Sequence, residues 1–467
     1  MSTEIKKMYE SATASFKEVE FWPQDKVDEM VAAVGWAWQK EENAMAMAKL
    51  AVEESNIGVY EDKVAKIQSK TRGSIWQMRN VKTCGLISED KEKGLKIFAK
   101  PMGVIANIVP CTNPESTVTA LGVNILKTRN AMIVSPHPRT KESTNLAVEI
   151  ARKALDMIGV PMDLVQCISD PSHAKATELM QLCDFSVATG GAALAKVVHQ
   201  AGKPSHTVGS GNVVSIVDST VDINSAAAKI IKSKIANNSA SCSSENAIAI
   251  EEIVFKEMVS ALQAEGGYLC NSEERERLRE YYWPDGISLN RDVIAKPVKY
   301  LAKQAEIIIP KGTRFLMVMG KKPGPEDRFS GEKISLVLTL WKWIEFSEII
   351  NRVKKMLEFS GEGHSISIHS TKESRHVELA MQMNVGRVNC NMPHAMANSG
   401  SWFNGQSFTD SLGGGTWAGN NTSENIIWKH FLNYTYLSVP IPEIVPTDED
   451  IFGNYLQKWG VESEDIF

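Results

Sequence analysis

From residue 104 to residue 218 short apolar runs alternate with stretches of helical period, and that alternation limits the folds open to the chain. "VIANIVP" (104–110) is too short for a helix and too uniformly apolar for a surface segment, so it reads as a buried strand. "STVTALGVNILKT" (116–128) reads as a helix, "AMIVS" (131–135) as a strand, and "KESTNLAVEIARKALDMIG" (141–159) as a helix stopped by Gly159 and Pro161. The series continues with a strand at 164–168, a helix at 173–182, a strand at 184–190 ending in a glycine turn, a helix at 192–202 and a strand at 213–218. Strand and helix in alternation mean right-handed βαβ crossovers and a mostly parallel sheet covered on both faces. This is the nucleotide-binding type of architecture, whose ligands sit beyond the C-terminal ends of the strands.

At 467 residues the chain is too long for one core, and a second alternating region provides another. It runs from a strand at 247–252 and a helix at 253–266 through strand candidates at 315–319, 335–341, 365–370 and 386–390, with helices at 345–358 and 371–383. The segment 270–330 is irregular and charged, and residues 1–70 look helical. Around a charged, glycine-containing turn, "GLISEDKEKGLKIFAK" (85–100) reads as a hairpin. "NYTYLSVPIP" (433–442) reads as a β arm that cannot bury itself alone, so it pairs with that hairpin or with another subunit. The expected organisation is a first α/β domain over 1–231 with hairpin 86–100 projecting from it, a second over 232–425, a β arm at 426–445 and a tail at 446–467.

A formal net charge of −5 offers no basic face to nucleic acid or an anionic membrane. The N-terminus lacks the apolar core of a signal sequence, and no apolar run is long enough to span a bilayer, so the expectation is a cytoplasmic protein. The seven cysteines are odd in number and widely spaced without a CxxC, which fits neither a disulfide framework nor a zinc site; no metal is expected.

Among those cysteines Cys242 stands out, in "NNSASCSSENAIAI" (237–250). A free cysteine is ordinarily a small buried hydrophobe. This one sits among small polar residues just ahead of a strand, where a thiol is accessible to a substrate and can act as a nucleophile if its pKa is lowered. "VATGGAALAK" (187–196) puts Thr189, Gly190 and Gly191 between a strand and a helix, either a tight turn or a phosphate cradle at a helix N-terminus. "SPHPRTK" (135–141) follows a strand and carries no carboxylate for the ribose hydroxyls of NAD. Ser135, Pro136, His137 and Arg139 suit a 2′-phosphate instead and favour NADP, unless the turn is merely solvated. In "VGSGN" (208–212), Gly209 and Gly211 flank a serine, and no acid is present to activate a water. The loops "GEGHSISIHS" and "NSGSWFNG…SLGGGTWAGNNTSEN" are rich in Gly, Asn and Ser, and Trp402, Phe403 and Trp417 argue that the second lines a site.

Taken in order, "PCTNP" (110–114), "SPHP" (135–138), "ATGG" (188–191), "VGSGN", "SCSSEN" (241–246), "EKISLVL" (332–338), "GHSISIHS" (363–370) and "GGGTWAGN" (413–420) resemble the CoA-acylating branch of the aldehyde dehydrogenase superfamily, over roughly residues 10–440. The resemblance implies a Rossmann-type NAD(P)-binding domain, a second α/β catalytic domain and a β oligomerisation flap in a homodimer or homotetramer. It implies NADP or NAD as cofactor, coenzyme A as co-substrate, and Cys242 as the nucleophile that carries a thioester. Thr112 and Asn113 match the oxyanion and substrate-positioning turn, and Glu332 matches the residue that binds the nicotinamide ribose. Hydrolytic relatives carry an acid in a stretch resembling "ELGGK"; here "VGSGN" stands in its place, which leaves deacylation to a thiol. Ser239 stands where a Gly is common and Leu336 where a Pro is common. Within the branch, the Cys242 loop and the C-terminal glycine-rich loops look most similar to those of enzymes acting on sulfoacetaldehyde, then to those acting on succinate semialdehyde or acetaldehyde. Asn238, Asn391, His394, Asn398 and Ser399 are candidates to bind the anionic tail of such an aldehyde, and His364 either deprotonates the incoming thiol or is a structural histidine. The rival readings are a hydrolytic aldehyde dehydrogenase and a non-catalytic assembly protein on the same fold.

Overall fold

The computed structural model describes residues 2–460, apart from the side chains of Ala192 and Ala193. Its strands are β1 (Gly85–Asp90), β2 (Leu95–Pro101), β3 (Val104–Ile108), β4 (Ala131–Ser135), β5 (Val165–Cys167), β6 (Phe185–Thr189), β7 (Ser205–Val208) and β8 (Val213–Val217), then β9 (Glu245–Glu251), β10 (Gly267–Leu269), β11 (Phe315–Met319), β12 (Val337–Trp343), β13 (Ile366–His369), β14 (Val388–Cys390) and β15 (Leu432–Ser438). They form a parallel sheet in the order β5-β4-β3-β6-β7, a parallel sheet in the order β10-β11-β12-β9-β8-β13-β14, and an antiparallel sheet β1-β2-β15. Every residue of β3, β4 and β8 is buried. That is why these runs are continuously apolar rather than alternating: helices cover both faces of each sheet.

In the first sheet the chain winds from β3 out to β5, then returns to β6 on the other side of β3. The reversal of winding between β3 and β6 opens a crevice beyond their C-terminal ends. The helix Pro114–Lys127, which follows β3, is buried along its whole length between the sheet and the N-terminal helices Gln24–Gln39 and Tyr60–Met78. Its charges are buried only because they are paired, Glu115 with Lys63 at 3.0 Å and Lys127 with Asp28.

The arm pairs as expected. β15 lies antiparallel to β2 from Leu432↔Pro101 to Ser438↔Leu95 and completes a flap with the 86–100 hairpin. Other expectations need correction. β8, expected as a strand of the first α/β series, pairs in the second sheet, and the helix Ile223–Ile235 packs in that sheet's core. Leu412, Ile426 and Phe431 return to the first core. The irregular segment 270–330 holds two helices, Ser272–Tyr282 and Val298–Gln304. The tail holds a helix at Asp448–Trp459, and the rest of the expected tail, from 461 on, lies outside the described residues. No helix among the described residues is long and apolar enough to cross a membrane.

Candidate active site

The crevice between β3 and β6 is a cavity of about 420 Å³. The turn after β3 lines it from Val109 to Asn113, the end of β4 contributes Ser135, Pro136 and His137, and the end of β6 contributes Thr189, Gly190 and Gly191. The second sheet closes it with Gly209, Ser210, Cys242 and Glu332, and the C-terminal loops add Ser399, Asp410 and Leu412.

Cys242 reaches this cavity from a loop with an unusual backbone. Asn237, Asn238 and Ser239 all have left-handed φ, of 51°, 52° and 62°. Asn accepts that conformation more readily than most residues, which accounts for the asparagine pair, and a Gly at 239 would accept it freely. Ser239 instead holds it with a hydroxyl that donates to Lys234 O at 2.5 Å. Asn237 ties the loop to the first domain: its N–H donates to Asp62 Oδ2 (2.6 Å), its Oδ1 accepts from Val59 N–H (2.7 Å), and its Nδ2 donates to Asn113 Oδ1 (3.2 Å). Asn113 Nδ2 in turn donates to Ala240 O at 2.7 Å. The Cys242 N–H has no partner among the described residues and is available to an oxyanion.

His364 Nε2 lies 3.1 Å from Cys242 Sγ, and His364 Nδ1 lies 2.7 Å from Ser365 Oγ. Burial, with Arg387 nearby, holds the imidazole well below its usual pKa, so it is neutral at working pH. Burial also pushes the Cys242 thiol up to about 11, and the nearby Glu332 carboxyl adds to the shift. Glu332 is itself pushed up to about 8 by burial and accepts from Gly211 N–H at 3.0 Å. Gly211 backs directly onto the nucleophile: a Cβ there would stand 1.9 Å from Cys242 O.

Twelve of the expected residues line the cavity: Thr112, Asn113, Ser135, Pro136, His137, Thr189, Gly190, Gly191, Gly209, Cys242, Glu332 and Ser399. The others do not. Arg139 is exposed and donates to Ser55 O at 2.7 Å, and Gly211 supports the Cys242 backbone. Asn391, with a φ of 58°, binds Ser370 through both ends of its amide. His394 is fully buried with Nδ1 on Ser243 O at 2.8 Å, and Asn398 Nδ2 bridges Ser243 Oγ (2.8 Å) and Ser365 Oγ (3.1 Å). These two brace the groups around Cys242 and His364 rather than line the cavity. Asn238 is not among the lining residues, and neither are Trp402, Phe403 and Trp417, which are largely exposed; Trp402 packs on Phe408. The lining residues Lys66 and Asp410 were missed. They form an ion pair at 3.0 Å, and neither sits in a recognisable motif.

Comparison with known proteins matches the aldehyde dehydrogenase family over residues 1–269. The sulfoacetaldehyde dehydrogenase (acylating) of Bilophila wadsworthia is 38% identical over 94% of this chain and 96% of that protein. The succinate-semialdehyde dehydrogenase (acetylating) of Clostridium kluyveri is 35% identical over 96% of this chain and 99% of that protein. The crystal structure of an acetylating aldehyde dehydrogenase from Geobacillus thermoglucosidasius superposes with a TM-score of 0.91 at 32% identity, over 95% of this chain and 98% of that one. The chain belongs to the aldehyde dehydrogenase family. Within it, the chain is an oxidoreductase of the acylating kind.

Proposed function

We propose that the chain oxidises a short anionic aldehyde, sulfoacetaldehyde before succinate semialdehyde or acetaldehyde, to its acyl-CoA through a thioester on Cys242. The observation that carries this reading is the Cys242–His364 contact in a cavity whose 208–212 loop holds no acid to activate a water. The names of the two relatives support an anionic substrate.

The residues present fit a nicotinamide dinucleotide. A Cβ on Gly209 would meet nothing within 4 Å and one on Gly191 only Ser210 Oγ at 4.0 Å, which leaves room for a ligand, and the helix Ala192–Gln200 starts at that turn. Thr189, Gly190, Gly191 and Gly209 would hold the phosphates and Glu332 the nicotinamide ribose. Ser135, Pro136 and His137 favour NADP over NAD because no carboxylate stands among them. Bound there, NAD(P)+ supplies the acceptor for the aldehyde hydrogen and a positive charge close to the thiol.

His364 Nε2 takes the Cys242 proton, and Sγ attacks the aldehyde carbonyl. The Cys242 N–H and the Asn113 amide, beside Thr112, hold the oxyanion, each such donor contributing about 3–4 kcal/mol. Loss of the aldehyde hydrogen leaves the thioester. With that first proton released to solvent, His364 accepts the proton of the coenzyme A thiol, whose sulfur displaces the Cys242 thiolate, and returns it to Cys242 Sγ. The result is ping-pong turnover. The exposed apolar residues of the arm, Tyr436, Leu437, Val439 and Ile441, support a homodimer or homotetramer.

Turnover measured with and without coenzyme A tests the reading. The expected result is one equivalent of reduced cofactor without coenzyme A and steady turnover with it. Sustained turnover without it would instead establish the hydrolytic enzyme, and no reduced cofactor under either condition would favour the assembly protein.

A further inference from the structure

The cavity that holds Cys242 is lined by a single lysine, Lys66, and no arginine. Lys66 comes from the helix Tyr60–Met78 with a lysine one turn away on either side. Lys63 is fully buried and donates to Thr112 O (2.7 Å) and Glu115 Oε1 (3.0 Å), and Lys70 donates to Ser399 O (2.9 Å) and Gly400 O (2.6 Å). Lys66 has one partner among the described residues, Asp410 Oδ1 at 3.0 Å, and its side chain is 24% exposed. An ammonium has three donors, so two are left for a ligand. Asp410 is anchored on its other side by the Ser116 hydroxyl, which fixes where the Lys66 ammonium is held. Ser399 lines the same cavity, and its hydroxyl has no partner among the described residues.

We infer that Lys66 reads the charge at the far end of the aldehyde: its ammonium, with the Ser399 hydroxyl beside it, receives an anionic tail, a sulfonate or a carboxylate, while Cys242 takes the carbonyl. The inference rests on the anionic-aldehyde reading given above. Of the two carboxylates that line the cavity, Asp410 offsets part of the Lys66 charge but is held on Lys66 and Ser116 and leaves ammonium donors for the tail, and burial keeps Glu332 largely protonated at neutral pH.

The test is kcat/KM, with coenzyme A and NADP+, for sulfoacetaldehyde, succinate semialdehyde and the uncharged propionaldehyde, in wild type, Lys66→Met and Lys66→Arg. Damage to Cys242 or to the fold affects all three aldehydes and cancels in their ratios. In Lys66→Met the ratio of anionic to uncharged aldehyde should fall about tenfold to a hundredfold, the worth of a charged hydrogen bond, and Lys66→Arg should restore most of it. The aldehyde whose ratio falls further identifies the tail, sulfonate or carboxylate. Protection of Cys242 from alkylation by ethanesulfonate, present in wild type and lost in Lys66→Met, gives a readout independent of turnover. If wild type prefers the anionic aldehydes and Lys66→Met keeps that preference, the Lys66 inference is overturned and the substrate reading stands. If wild type prefers propionaldehyde to both anionic aldehydes, the substrate reading fails and the Lys66 inference fails with it.

Discussion

His364 Nε2 and Cys242 Sγ meet at 3.1 Å with both groups held in their neutral forms: burial pushes the thiol up to about 11 and the imidazole well below its usual range. A thiol and an imidazole so placed do not form a standing thiolate–imidazolium pair. The free protein should therefore be slow to react with iodoacetamide. Its alkylation rate should rise about tenfold per pH unit from pH 7 to pH 10 without a plateau, since the thiolate fraction grows in that proportion below the pKa. Saturating NADP+ brings a positive charge near the sulfur and should speed alkylation at pH 8. A plateau near pH 8 in the free protein would show a thiol that burial does not hold up.

His364→Gln separates the two proton transfers assigned to this histidine. Loss of a positioned general base ordinarily costs about 10²- to 10⁴-fold. If His364 also serves the coenzyme A thiol, the variant should accumulate acyl-Cys242 when premixed with aldehyde and NADP+, and release it slowly once coenzyme A is added. Mass spectrometry of the quenched protein reads the acyl adduct. Slow formation followed by fast release would confine His364 to the first step.

Glu332 gives a pH signature in stability. Its folded pKa of about 8 lies above the ordinary value of 4.5, with burial as the main cause. Between those values the folded protein holds a proton that the unfolded chain has released, so this group's contribution is present below about pH 4.5 and is lost as pH rises to about 8. Glu332→Gln keeps an oxygen for the Gly211 N–H and removes the titration. Its Tm should gain on wild type as pH rises from about 6 to 9, as scanning calorimetry at several pH values would read. Since the Glu332 carboxyl also pushes the thiol up, the same variant should alkylate faster at pH 9.

The parallel architecture was legible because its central strands are buried on both faces and so are uniformly apolar, which the runs at 104–108 and 131–135 declare. The short strands β7 and β10 were not, since "SHTV" and "GYL" are too brief and too mixed to stand out. The helix Ser272–Tyr282 had a signal that went unused: Asn271 and Glu274 form a capping box at its start. At the site, Cys242, the Thr189–Gly191 turn and Glu332 sit in local motifs, and the fold brings them to one cavity. Asn398 and His394 carry only their polarity in the sequence, and in the fold neither lines the cavity while both hydrogen-bond Ser243. Lys66 and Asp410, separated by most of the chain, meet only in the fold.

Gly211 and Gly209 lie two residues apart in one loop and should fail in different ways. A Cβ on Gly211 would stand 1.9 Å from Cys242 O, a contact that only a shift of the nucleophile's own backbone relieves, whereas a Cβ on Gly209 would meet nothing within 4 Å. Displacement of a reacting group by about 1 Å costs on the order of 10²-fold. Gly211→Ala should therefore lower kcat about 10²-fold or more and alter the pH dependence of Cys242 alkylation, with the far-UV spectrum and oligomeric state retained. In Gly209→Ala the added methyl enters the cavity on the side assigned to the cofactor. It should raise the KM for NADP+ while leaving the alkylation profile of the free protein in place. Steady-state kinetics and alkylation on both variants read the difference. Equal effects of the two substitutions on alkylation would show that Gly211 does not support the Cys242 backbone.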